Sequence, residues 1–182
     1  MGRRAGRTPL TQQRILDAAL RLIDADGLDA LSMRRLGAEL GVDPMAVYHH
    51  LPGKDAVVRG VVAQVFADMP LPASDGPWLR RVREWARTYR ALARAHPNLV
   101  LRIVSDPAAV AIAAASINAS LTSALGDSGI EPQLAARVAN VIVDYINGFS
   151  LAEVSSALPA SESDDFEFGL NLILAGTTRS AG

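Results

Sequence analysis

Residues 40–58 read LGVDPMAVYHHLPGKDAVV. Gly41 and Pro44 stand three positions apart in a chain that otherwise carries helical spacing, and Tyr48, His49 and His50 follow within the next turn. A glycine can close a helix in the left-handed conformation. Asp43 is an N-cap type, and Pro44 suits a first helical turn, where its fixed φ fits and its missing N–H goes unmissed. The stretch therefore predicts two short helices, 32–40 and 44–50, joined at a sharp corner by Gly41-Val42-Asp43. That is the length and chemistry of a helix-turn-helix. Leu36, Leu40, Val42, Val47 and Leu51 are spaced to pack inward and hold the corner. Pro44, Met45, Ala46, Tyr48, His49 and His50 are left facing outward.

Working outward, residues 1–10 are expected to form a flexible basic arm. Thr11 is an N-cap for a first helix in which Ile15, Ala19, Leu22 and Ile23 recur at helical spacing until Asp26-Gly27. Ser32 caps the second helix. LPGK breaks the third, and a fourth rich in Val and Ala runs from about Lys54 to Ala67. MPLPASDGP, residues 69–77, has three prolines, a glycine and small polar residues, the composition of a linker. This divides the chain into an arm (1–10), a helix-turn-helix domain (11–68), the linker (69–77) and a second domain (78–182). The second domain holds helices from Trp78 to about Ala95, a short one after His96-Pro97, 107–126, Pro132 to about Ala157, and roughly Asp164 to Ala175. No alternating run argues for a sheet. The chain is predicted all-α, with about nine helices.

Composition narrows the function. The 182 residues contain no cysteine, which excludes disulfides, thiolate zinc sites and thiol nucleophiles and fits a reducing cytoplasm. Residues 107–126 carry no charge, but Ser116, Asn118, Ser120, Thr122 and Ser123 make the second half polar, so a buried helix is expected there and not a membrane span. The N-terminal MGRRAGRTPL has no apolar run behind it and does not read as a secretory signal. Net charge is −1, yet residues 1–60 hold nine Lys/Arg against seven Asp/Glu and residues 61–182 nine against twelve. Any nucleic-acid binding is therefore local and N-terminal. There is no phosphate-cradling glycine loop and no His-Glu-x-x-His pattern. Adjacent histidines on a helix point about 100° apart, so His49-His50 is a poor chelate. No enzyme, metal or cofactor is expected.

A helix lying in a DNA major groove uses its N-terminal residues on base edges. Met45 and Ala46 are small or apolar enough to approach a thymine methyl, and Tyr48 can donate to a phosphate. The alternative is a helical hairpin in an ordinary bundle, with Tyr48 and both histidines merely solvated.

From Thr11 to Ala67 the sequence resembles the DNA-binding domain of the TetR family of bacterial transcriptional regulators. The carrying segments are ILDAALRLIDADGLDALSMRRLGAELGV and VYHHLPGKDAVV. Trp78 and the closing FEFGLNLILAG also look like the C-terminal domain of the tetracycline-repressor branch. The resemblance implies that helix 44–50 enters the major groove, that Arg34 contacts a guanine or phosphate, that Tyr48, His50 and Lys54 occupy phosphate-contact positions, and that His49 can reach a base. Met33 replaces the usual threonine contact, and Pro44-Met45-Ala46 replaces a Gln-Pro-Thr readout, so the operator is not expected to be the tetracycline one. The resemblance further implies a C-terminal ligand-binding and dimerisation bundle. The partners would be a near-palindromic double-stranded operator, a second copy of the chain and a small-molecule effector, in the bacterial cytoplasm at the nucleoid. The alternative is a DNA-binding dimer with no small effector.

In the second domain Arg80, Arg83, Arg87, Arg90 and Arg94 form one stripe, either the anion-attracting wall of a cavity or a solvated basic face. Leu79, Val82, Ala86, Tyr89 and Ala93 form the stripe beside it. Helix 132–157 is apolar nearly all round, which argues burial on several sides, and Asn140, Asp144 and Asn147 share a stripe on it. The resemblance puts this helix and the last one in a four-helix dimer interface, with a ligand cavity among helices 78–95, 107–126 and 132–157. His96, Asn118, Asn140, Asp144 and Asn147 are the candidate ligand contacts, with a helix-end role as the alternative for His96.

Overall fold

Helix caps fall where residue type puts them. In the computed structural model, which describes residues 9–105, 107–155 and 162–179, the Thr11 and Ser32 hydroxyls accept from the N–H groups of Arg14 and Arg35 at 3.2 and 3.1 Å. The Asp43 carboxylate accepts from Met45 N–H at 2.8 Å. Each such cap is worth about 1 kcal/mol. The described residues form nine α-helices and no strand: α1 (Gln12–Asp26), α2 (Met33–Leu40), α3 (Pro44–Tyr48), α4 (Lys54–Ala67), α5 (Trp78–Ala95), α6 (Pro97–Ser105), α7 (Pro107–Gly126), α8 (Pro132–Ser155) and α9 (Glu162–Arg179). A short 3-10 turn, Leu28–Ala30, follows α1 and was not expected from the sequence. The chain divides into two compact units, Met1–Gln64 and Val65–Gly182.

In the first unit, Ile15, Ala18, Ala19 and Ile23 of α1, Leu36 of α2, Val47 of α3 and Val57 and Val61 of α4 are fully buried. Asp17 on α1 accepts from both the Gln13 and Gln64 amides, at 2.9 and 2.7 Å, which ties α1 to α4. The α2–α3 corner depends on two glycines. Gly41 is left-handed (φ 65°, ψ 34°); its N–H donates to the Ala38 carbonyl and that of Val42 to the Gly37 carbonyl, at 3.2 and 2.9 Å, the paired bonds that close a helix end. At Gly37 a Cβ would lie only 3.0–3.2 Å from Val42 O and from the Pro44 backbone. The turn can fold back on α2 because that position has no side chain.

In the second unit α5 has one buried stripe, Val82, Ala86, Tyr89 and Ala93, as its spacing predicts, together with Trp85. The Trp85 and Tyr89 rings stack at 5.1 Å. The indole N–H donates to Ile117 O on α7 at 3.1 Å, and the Tyr89 hydroxyl donates to Asn147 on α8 at 3.1 Å. The arginine stripe is solvated in part, with Arg80, Arg87 and Arg94 exposed, but most of its members also reach the neighbouring helices. Arg83 donates to Asn171 and Arg87 to Glu167, both on α9. Arg90 is buried, pairs with Glu153 of α8 and lies over the Phe166 ring at 4.4 Å. These guanidiniums bind α5 to α8 and α9. The last helix runs longer than expected, through Gly176, where the Thr177 hydroxyl bonds back to Ile173 O at 3.0 Å.

Burial pushes the Tyr89 phenol up to about 12, with Asp144 adding to the rise. An unfolded chain releases that proton near pH 10. Tyr89 thus contributes fully to stability below about pH 10, and the contribution falls as pH rises toward 12, by about 2–3 kcal/mol in all. Chemical denaturation at pH 9 and pH 11.5 should show a smaller alkaline loss in Tyr89→Phe than in the parent. Equal losses would mean that Tyr89 ionises freely in the folded protein.

Candidate nucleic-acid interface

Val47 is fully buried and Leu51 nearly so, and they fix which side of α3 faces out. Met45 (60% exposed) and Tyr48 (43%) stand on that side, with Pro44 and Ala46 half-buried beside them. The helix ends at Tyr48, two residues earlier than expected. His49 and His50 are exposed but lie in the following turn. Pro52 explains the difference: it disfavours helical geometry at Leu51 and brings no N–H to continue the ladder. The stop is tight, with His49 N–H on Met45 O and Leu51 N–H on Val47 O at 3.1 and 3.0 Å.

On α2, Arg34 and Arg35 differ. Arg35 pairs with Asp26, whereas Arg34 is exposed and makes no ion pair among the described residues. Met33, beside the Ser32 cap, is buried and serves the core. Lys54 opens α4, and its ammonium donates to Leu28 O at 2.8 Å. That bond anchors the lysine over the 3-10 turn and uses one of three donors, leaving two for a second acceptor.

The five candidate ligand residues have different surroundings. His96 caps α5, its N–H donating to Leu92 O at 3.0 Å. Asn118 is half-buried on α7. Asn140 and Asp144 are exposed, so of the three polar residues expected inside α8 only Asn147 is buried. The correction follows from the face each occupies: the core stripe of α8 is Ala135, Ala139, Ile142, Ile146 and Ser150, and Asn140 and Asp144 turn away from it. Ser150 escaped the sequence reading. It is 1% exposed and its hydroxyl has no partner; its place four residues after Ile146 was the available signal. On the other side of α8, a groove of about 310 Å³ runs against α9, lined by Leu134, Arg137, Val138, Val141, Ile173 and Gly176. Val141, Phe168 and Leu172 are each more than half exposed.

The chain matches two family models, bacterial regulatory proteins of the tetR family over residues 15–61 and the tetracyclin repressor-like C-terminal domain over residues 69–163. It is 39% identical over 104 residues to the HTH-type transcriptional repressor DrrR1 of Streptomyces coeruleorubidus, a match covering 54% of this chain and 38% of that protein. With the class D tetracycline repressor protein of Escherichia coli it shares 31% identity over 84 residues, covering 44% of this chain and 38% of the relative. The chain thus spans 38% of the length of each. Among solved structures, the TetR family protein ActR of Streptomyces coelicolor, in complex with actinorhodin, superposes with a TM-score of 0.82 at 28% identity, covering 96% of this chain and all of that one. No helix of the described residues is long and apolar enough to cross a membrane. With its capped helix-turn-helix corner and the helical unit that follows, the chain belongs to the TetR family of bacterial regulatory proteins.

Proposed function

We propose that this protein is a homodimeric transcriptional repressor that binds a near-palindromic DNA operator at the bacterial nucleoid and is released by a small-molecule effector. The observation that carries the reading is the outward side of α3, with Met45, Ala46 and Tyr48 held by the buried Val47 and presented beside the open Arg34. In this reading Met45 and Ala46 meet base edges. Arg34, Tyr48, His50 and the free donors of Lys54 meet phosphates, and His49 reaches a base from the turn. Two copies are needed because one short helix reads too few bases alone. The apolar side of α8 and α9 supplies the dimer surface. The effector enters the second unit and moves the two α3 helices off the groove repeat of about 34 Å. Support for repression and for an effector comes from the repressor DrrR1 and from the actinorhodin complex of ActR.

Selection of bound fragments from random duplex DNA tests the reading, and the recovered sites should share an inverted repeat. Tyr48→Phe should weaken all recovered sites about tenfold or more, the worth of one hydrogen bond to a charged acceptor, without changing their order. Ala46→Gln should re-rank them, since it puts a new donor and acceptor against the bases. Recovery of unrelated fragments would sink the operator reading. An unchanged ranking for Ala46→Gln would mean that α3 docks by another side.

A further inference from the structure

The first turn of α3 has no hydrogen-bond donor left to offer. Pro44 carries no N–H. The Met45 N–H donates to the Asp43 carboxylate at 2.8 Å and the Ala46 N–H to Asp43 O at 2.9 Å. The side chains of Pro44, Met45 and Ala46 bring no donor either, and the thioether sulfur is only a weak acceptor. Yet this turn stands outward. Met45 is exposed, Pro44 and Ala46 are half-buried, and the buried Val47 behind them fixes the side they present. By contrast Arg34, Tyr48, His49 and His50, all exposed, carry polar groups. In the major groove the base edges show acceptors, amino donors and one apolar group, the C5-methyl of thymine. A turn with nothing to donate has no use for the N7, O6 or O4 acceptors. It fits the methyl.

We infer that this turn reads the methyl group at C5 of a pyrimidine and is blind to the rest of the base edge, so that 5-methylcytosine serves in place of thymine. The inference rests on the operator binding proposed above, with α3 in the major groove. Pro44 to Ala46 rise about 3 Å, near one base-pair step of about 3.4 Å, so one or two adjoining pairs per half-site are read in this way. Thymine and 5-methylcytosine differ at C4, where one has a carbonyl and the other an amino group, but they carry the same methyl. Uracil and cytosine are the same two bases without it. A bond from the amino group to the exposed Asp43 carboxylate would favour both cytosines over thymine and uracil, but one oxygen of that carboxylate is held by the cap. Affinity should therefore sort the four bases by their methyl and not by their pairing. DNA methylated at cytosine C5 then gains sites that unmethylated DNA lacks.

Duplexes recovered by selection from random DNA, bound to the full chain and followed by fluorescence anisotropy, test this. Each thymine of the half-site is replaced in turn by uracil, symmetrically in both halves. At one or two positions the loss should be about fifteenfold, two methyls at about fourfold each. There 5-methylcytosine paired with guanine should bind within about threefold of thymine, and cytosine as weakly as uracil. Met45→Ser, too short to cover a methyl, should cut the symmetric thymine-over-uracil ratio below about fourfold while the circular dichroism spectrum is unchanged. Three results overturn the inference while the selected duplex still binds: uracil tolerated at every position, 5-methylcytosine no better than cytosine, or a ratio untouched by Met45→Ser. Recovery of no shared duplex would instead sink the operator reading itself, and this inference with it.

Discussion

Replacing Arg90 with alanine is expected to destabilise the second unit by about 3–5 kcal/mol, the range for breaking a buried ion pair from one side. Arg90 is 9% exposed and its partner side chain, Glu153, is 7% exposed. Two guanidinium nitrogens bond the carboxylate, Nε at 3.1 Å, and the planar group lies 4.4 Å from the Phe166 centroid and 5.2 Å from that of Phe149. Truncation would leave the carboxylate buried with only Arg94, at 4.0 Å, and would remove the stacking on both rings. Lysine should not rescue, since it has neither the fork nor the flat face. Replacing both partners by leucine should recover most of the loss, because no charge is then left uncompensated. Urea unfolding of the three variants checks this. A loss under about 1 kcal/mol for Arg90→Ala would mean that the pair behaves as a surface one.

Gly37→Val is expected to abolish operator binding, by more than about a hundredfold, and to cost the first unit about 3 kcal/mol. Alanine sets the scale. Helix propensity favours Ala over Gly by about 1 kcal/mol, but a Cβ here meets the backbone of Val42 and Pro44 at 3.0–3.2 Å, and backbone cannot rotate aside. The clash should win narrowly for Ala and decisively for Val, whose two further methyls enter the same space. The corner would open and α3 would lose its fixed presentation. Gel-shift titration of both variants, with thermal melting, provides the test. An Ala variant more stable than the parent, with full DNA affinity, would show that the turn relaxes freely.

Local chemistry makes much of the first unit legible in the sequence. Thr11, Ser32, Asp43 and Gly41 each dictate a cap or a turn through their own side chain or backbone, so neighbours in sequence suffice. The arginine stripe was legible as a pattern and opaque as to purpose. Its partners Glu153, Glu167 and Asn171 lie 63–88 residues along the chain, and spacing within α5 carries no sign of them. Asn140, Asp144 and Asn147 misled for a related reason. They share a stripe loosely, but the angular step from Asp144 to Asn147 separates an exposed carboxylate from a buried amide. The donors of Lys54 were visible in its residue type. Its bond to Leu28 O depends on a 3-10 turn too short to show any periodicity.

The brevity of α3 limits how selectively such a protein can be addressed. Five residues rise about 7.5 Å, little more than two base-pair steps of about 3.4 Å, so one such helix spans about three base pairs. Fully read, three pairs select one site in about 64, and two symmetric half-sites one in about 4,000, against roughly a million or more competing positions in a genome. Hundreds of unintended addresses would match on base edges alone. In the proposed repressor the missing discrimination has to come from outside the helix: from Arg34, from the histidines in the turn, and from sequence-dependent groove shape. Substitutions at those positions should widen or narrow the set of genes controlled while leaving the core operator unchanged.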